Sequence, residues 1–156
     1  MRRISKQIAA VCAAALCLLA AGCGAKTALD PAAARDRLGE ELSFTDQMTD
    51  MDTAGACRFY SVDPSLAADG AAYVGSGATA ESAAVFEAVD AAAAGEIAAQ
   101  LQAFTDSWIA GYSDYKPEEV PKLESAVLEQ DGVYVVFCVT ADNTAAKSAV
   151  RSLLHP

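Results

Sequence analysis

Five apolar residues, Ile97, Leu101, Phe104, Trp108 and Tyr112, follow one another at steps of four, three, four and four. On a helix of 3.6 residues per turn these steps keep all five on one face, whereas a strand would scatter them over both. The spacing predicts a long helix that Asp90 caps and that ends near Tyr112, before Pro117. Such an aromatic edge needs an apolar surface to lie on, and the flanking segments supply one. Ala71 to Gly75 and Ala83 to Val89 read as two short strands joined across Gly75-Ser76-Gly77, a turn signal. Leu123 to Glu129 and Val133 to Thr140 read as a second pair, joined at Asp131-Gly132, where glycine accepts positive φ without steric cost. In the last strand Val133, Val135, Phe137 and Val139 form the face expected to meet the helices. Tyr134, Val136, Cys138 and Thr140 face the other way.

The remaining elements are read from their starts. Asp30-Pro31 combines an N-cap with a proline at the first helical position and predicts a helix from Pro31 to about Leu42, weakened by Gly39. From Ser43 to Asp69 short helices with loops are expected, one capped by Asp52, with a further turn at Asp63-Pro64. Asp142 caps a last helix through Leu154, with Lys147 and Arg151 toward its C-terminal end. The expected fold class is α+β, a four-stranded, mainly antiparallel sheet built as strand-strand-helix twice. Two helices lie on one face and the short N-terminal helices cover the other. The spacing from Asp90 to Ile97 and Leu101 repeats from Asp142 to Ala149 and Leu153. Strand-to-helix units look alike for physical reasons, so this echo is read as chemistry rather than duplication.

The chain begins differently. Arg2, Arg3 and Lys6 precede an uncharged run of 14 residues, Ile8 to Ala21, and Ala20-Ala21-Gly22 stands directly before Cys23. The run is shorter than the ~20 apolar residues that span a bilayer as a helix. A basic start, a short apolar middle and small residues at the end describe an export leader that is removed. The segment resembles a bacterial lipoprotein signal peptide, which implies that Cys23 is lipidated and becomes the first mature residue. An ordinary secretory signal cut near Ala21 or Ala25, and a buried N-terminal helix, are the alternatives. The organisation that follows is a signal peptide over 1–22, a lipidated tether over 23–28 and a single α+β domain over 29–156.

Removing the leader takes Arg2, Arg3 and Lys6 with it and leaves eight basic residues against 21 acidic ones, a formal charge of −13. No cluster of Lys or Arg follows residue 22, which argues against nucleic-acid binding, because that requires a basic patch to displace counterions from phosphate. Cys57 and Cys138 stand in apolar surroundings and read as two separate buried thiols. Neither has a histidine or basic cluster beside it to activate it.

Candidate chemistry is sparse, and each motif has a plainer explanation. His155, the only histidine, is next to last and reads as an incidental tail residue. Asp46, Asp50 and Asp52 have spacings that suit a hard cation, but the calcium-loop pattern with its central glycine and terminal Glu is absent. Helix capping and solvated surface account for them. Glu118 and Glu119 are adjacent carboxylates, and adjacency does not supply the separation that glycoside hydrolysis needs. Phe104, Trp108, Tyr112 and Tyr115 either line a groove at the end of the long helix or, more simply, form core. No catalytic residue, metal site or cofactor is assigned. Cys23 is the one residue given a specific chemical fate.

The run Tyr115-Lys-Pro117-Glu118-Glu119-Val-Pro-Lys-Leu123-Glu124-Ser-Ala, then Asp131-Gly132-Val-Tyr134-Val-Val-Phe, is similar to the C-terminal half of a family of small exported lipoprotein domains of Gram-positive bacteria with no assigned function. Val85-Phe86-Glu87-Ala-Val-Asp90 is similar to that family's strand before its long helix, and the likeness covers roughly Ala54 to Leu154. It implies an exported, anchored module. The expected function is a lipid-anchored cell-envelope lipoprotein on the extracytoplasmic face of the cell membrane, not an enzyme. It would be held to the membrane through lipid on Cys23 and bind an envelope protein or small ligand. The alternative is a small cell-envelope hydrolase that uses acidic residues.

Overall fold

Four aspartates begin four helices in the structure, a computed structural model that describes residues 28–156. Asp30 accepts from the Ala32 and Ala33 amides at the start of α1 (Pro31–Glu41), and Asp52 from Gly55 N at the start of α2 (Thr53–Tyr60). Asp90 caps α3 (Ala91–Tyr115), one turn longer than the apolar spacing predicts. After a 3-10 turn (Pro117–Glu119) and the short α4 (Val120–Glu124), Asp142 caps α5 (Asn143–Leu154). Each cap satisfies amide groups that the first helical turn leaves without a partner. The leader, Cys23 and residues 24–27 of the tether lie outside the described residues.

The strands are β1 (Thr49–Met51), β2 (Ala67–Val74), β3 (Ser82–Ala88), β4 (Val127–Asp131) and β5 (Tyr134–Val139). They form one antiparallel sheet in the order β1-β2-β3-β5-β4. The sheet thus has five strands rather than four. Thr49-Asp50-Met51 falls in the region expected to hold only short helices and loops, since three residues are too few for an alternation to register. What makes them a strand is the edge of β2, against which Asp50 pairs with Tyr73.

The expected placement of the two long helices on one face is also corrected. On one face α2 and α3 bring Tyr60, Ile97, Leu101 and Phe104 onto Phe86, Val135 and Phe137. On the other, Ala34 and Leu38 of α1, Leu42 just after it, and Val150 and Leu153 of α5 cover Val85, Val136 and Cys138. The central strands β3 and β5 are buried on both sides, so each face needs its own helical layer. The segment with the aromatic edge takes one layer, and α5 joins α1 in the other. The echo between the two strand-helix units therefore ends in helices on opposite faces.

Several boundaries shift for local reasons. Leu123 is helical and buried in α4 rather than opening a strand. The hairpin turn is Gly132-Val133, between the paired Asp131 and Tyr134. Only Gly132 has positive φ there, +61°, the pattern of a type II′ turn with glycine first. Gly39 in α1 has a packing role, since a Cβ there would lie 2.6 Å from the Tyr73 ring that the helix rests on. Cys57 and Cys138 are both free and buried, in cores on opposite sides of the sheet. Among the described residues, no helix is long and apolar enough to cross a membrane.

Candidate functional site

Residues from three separate segments converge on the connection between β2 and β3, residues 75–81. Asp46 accepts from Ser76 N at 2.9 Å, Ser76 Oγ at 2.8 Å and Thr79 Oγ1 at 3.1 Å. From the C-terminal end of α3, the Tyr112 hydroxyl donates to Thr79 O at 2.7 Å and Lys116 Nζ to Ala78 O. Glu119 accepts from Ala80 N at 2.9 Å. Glu81 reaches the other way and accepts from Thr45 N and Thr45 Oγ1 at 2.6 and 2.9 Å and from Asp46 N at 3.1 Å. The loop is thereby held at successive positions, a pre-organisation that lowers the ordering cost of anything bound against it.

Beneath the loop Glu81 and Glu119, both buried, share one cation. Lys122 Nζ lies 3.0 Å from Glu119 Oε2 and 3.4 Å from Glu81 Oε1. Burial by itself raises the Glu119 carboxyl, but the Ala80 amide and the Lys122 ammonium outweigh it and hold that group below the ordinary 4.5. Partial burial pulls the Lys122 ammonium down, and its two carboxylates, Glu119 foremost, leave it above the ordinary 10.5. Asp46 is lowered chiefly by the Ser76 hydroxyl, with help from the Gln47 amide and the Thr79 hydroxyl.

Two surface concavities lie on the α2–α3 face. A depression of about 230 Å³ is bounded by Gly77 of the clamped loop and by Ser107, Trp108, Gly111, Tyr112 and Tyr115 of α3. A larger groove of about 490 Å³ runs between Asp50, Met51 and Asp52 on one side and Gly55, Arg58 and Phe59 of α2 on the other. Its volume falls in the range of small-ligand sites.

The four aromatics singled out in the sequence divide between the two explanations given for them. Phe104 and Tyr112 are core, Trp108 is half-buried, and Tyr115 is 75% exposed at the rim of the depression. Gly75-Ser76-Gly77 opens the bend between β2 and β3, and its Gly77 lines that depression. Of the adjacent pair, Glu119 is buried beneath the loop and Glu118 is exposed. Asp46, Asp50 and Asp52 are not gathered around a point, because Asp46 holds the loop, Asp52 caps α2 and Asp50 sits on the edge strand. Among the described residues, no three His, Cys, Asp or Glu side chains are placed to hold a metal. His155 is exposed, with Nδ1 3.5 Å from Asp131 Oδ2.

Sequence reasoning misses Glu81, Lys122, Arg58 and Phe59. Glu81 carries a signal, a charged residue directly before the mostly apolar run Ser82-Ala-Ala-Val-Phe86. The others carried none, since their roles depend on which segments the fold brings beside them.

The architecture defines a small α+β domain, an antiparallel five-stranded sheet between helical layers, with a pre-organised loop beside an aromatic helix end. The chain belongs to the DUF4358 family, a domain of unknown function, which it matches over residues 40–140. The match starts at Glu40, earlier than the likeness seen in the sequence, and so takes in β1. It stops at Thr140, before α5. No curated protein and no solved structure matches the chain.

Proposed function

We propose that the protein is a lipoprotein anchored through Cys23 to the extracytoplasmic face of the cell membrane, and that its domain is a noncatalytic module binding a protein or small ligand through the α2–α3 face. The observation that carries the binding reading is the clamped β2–β3 loop. Asp46, Tyr112, Lys116 and Glu119 hold it rigid beside the Trp108–Tyr115 depression, while the carboxylates suited to chemistry are used in holding it. The anchoring reading rests on the leader pattern and on two-chain lipidation giving stable attachment where one chain does not. A tether of a few residues then keeps the domain close to the membrane, and a charge of −13 keeps it from lying flat on anionic headgroups.

The hydrolase reading draws its support from Glu81 and Glu119, two buried carboxylates converging on Lys122. General acid–base work requires a carboxyl within reach of substrate. These two reach backbone amides instead, which favours the noncatalytic reading.

The test of anchoring is lipid labelling and membrane fractionation of the native protein and the Cys23→Ala form. The native protein is expected to take up label and sediment with membranes, and Cys23→Ala to do neither. Equal membrane retention of both forms, with no label on the native one, would overturn the reading.

A further inference from the structure

We propose that the domain stands on the membrane by the end of its sheet that holds the β4–β5 hairpin, so that the clamped loop and the Trp108–Tyr115 depression point into the water and serve a partner that arrives from there, not the bilayer. The proposal rests on the lipid-anchor reading and is independent of what the depression binds.

The first support is where the chain enters the fold. Leu29, the second residue described, packs against the α1–α5 layer and donates its amide to the Tyr134 hydroxyl at 3.0 Å. Tyr134 opens β5 beside the hairpin turn and pairs with Asp131 and Glu87. This is the near end of the sheet. The clamped loop is at the far end, because in the β3–β5 ladder Glu87 lies against Tyr134 and Ser82 against Val139. Five residue steps of strand, ~17 Å, separate the entry from residues 75–81. The helices span the same length. From Leu29 the chain passes through α1 and brings Thr45 to Glu81, while α3 runs from Ala91, whose carbonyl accepts from Gln130, to Tyr112 and Lys116, which hold the loop. The depression also lies on the α2–α3 face, across the sheet from Leu29.

The second support is the length of the tether. Six residue steps join Cys23 to Leu29, at most ~20 Å when fully extended. Resting the far end on the bilayer would lift Leu29 ~17 Å or more above it and draw the tether nearly straight, with its conformational freedom lost. Standing on the near end requires no stretch.

Charge acts in the same direction. At the far end Lys116 and Lys122 are turned onto the Ala78 carbonyl and onto Glu81 and Glu119, while Asp114, Glu118 and Glu124 are exposed. Anionic headgroups repel that set. The near end carries both signs, Arg151 and His155 as well as Asp30, Asp90 and Asp131.

The experiment places the mature lipidated protein in phosphatidylcholine–phosphatidylglycerol vesicles that contain a headgroup spin-labelled lipid as fluorescence quencher. With Cys57 and Cys138 buried and Cys23 lipidated, a fluorophore is attached to one added thiol, Ser152→Cys at the near end or Glu118→Cys at the far end, both exposed positions. The label at position 152 should be quenched several-fold more than the label at 118. Trp108, the only tryptophan, reports on the depression without any substitution and should keep its emission. Inserting about 20 Gly and Ser residues between Lys26 and Thr27 adds ~25 Å of r.m.s. reach and should bring the two labels toward equal quenching. The proposal is overturned if the label at 118 is quenched as strongly as that at 152, if neither is quenched, if the lipid quencher lowers Trp108 emission, or if the longer tether leaves the difference intact. Native protein without lipid on Cys23 overturns the anchor and this orientation with it, whereas lipidated protein with the reverse order of quenching overturns the orientation alone.

Discussion

Phe59 and Trp108 meet edge to face, with ring centroids 5.3 Å apart and planes at 75°. The contact joins α2 to α3 and stands between the two concavities, since Phe59 lines the β1–α2 groove and Trp108 the depression beside the clamped loop. The two open regions of this face thus share a wall of two aromatic rings.

That contact can be read optically, because Trp108 is the only tryptophan. Phe59→Ala removes one side of its packing while Phe104 and Tyr112 remain on the others. We expect a red shift of tryptophan emission and a loss of about 2 kcal/mol by urea unfolding, less than a fully buried phenylalanine costs because Phe59 is only half-buried. Unchanged emission would mean that the ring is not where the structure has it.

Lys122→Met addresses the charge beneath the loop. The substitution keeps the aliphatic stem but leaves Glu81 and Glu119 buried without their shared cation. Removing one side of a buried ionic cluster costs ~3–5 kcal/mol, far more than a surface ion pair is worth. A loss below 1 kcal/mol in urea unfolding would show the cluster to be solvated rather than buried.

Acid should loosen the same clamp. Glu119 and Asp46 have folded-state carboxyls held below their ordinary 4.5 and 3.8. The stability they contribute is present in full above those ordinary values and is lost as pH falls through the depressed ones. Lys122, raised above 10.5, contributes stability that is present below that value and is lost only as pH rises beyond it. The gap in urea midpoint between the native protein and Glu119→Gln should therefore stay level from pH 6 to 9 and shrink below about pH 4.5. A gap of constant size down to pH 3 would remove Glu119 from the account.

The two domain thiols should resist alkylation while the protein is folded. Burial pushes the Cys138 thiol up to about 12, and burial together with the charge of Asp63 raises that of Cys57. Neither thiol reaches the reactive thiolate form near neutrality. Mass-spectrometric mapping after brief iodoacetamide treatment should find both positions unmodified in buffer and both modified in urea. Recovery of a Cys57–Cys138 disulfide would contradict their placement on opposite sides of the sheet.

The sequence alone determined the local events, because these depend on residues a few positions apart. The four Asp caps, the 3.6-residue spacing of Ile97 to Tyr112 and the glycine of the β4–β5 hairpin act within one turn or one loop, and each appears where the residues place it. The mixed α and β class follows from those elements.

Long-range pairing decided what remained. Thr49 to Met51 became a strand because β2 offered an edge, and α5 went to the face opposite α3 because β3 and β5 are apolar on both sides. The candidate site belongs to the same level. Thr45, Glu81 and Lys122 are separated by 36 and 41 positions, and only the fold brings the first and last of them onto the buried Glu81 carboxylate. A cap is local and can be read from a line of text, whereas burial of a charge becomes favourable only when distant segments bring its partners, so no single stretch of the chain records it.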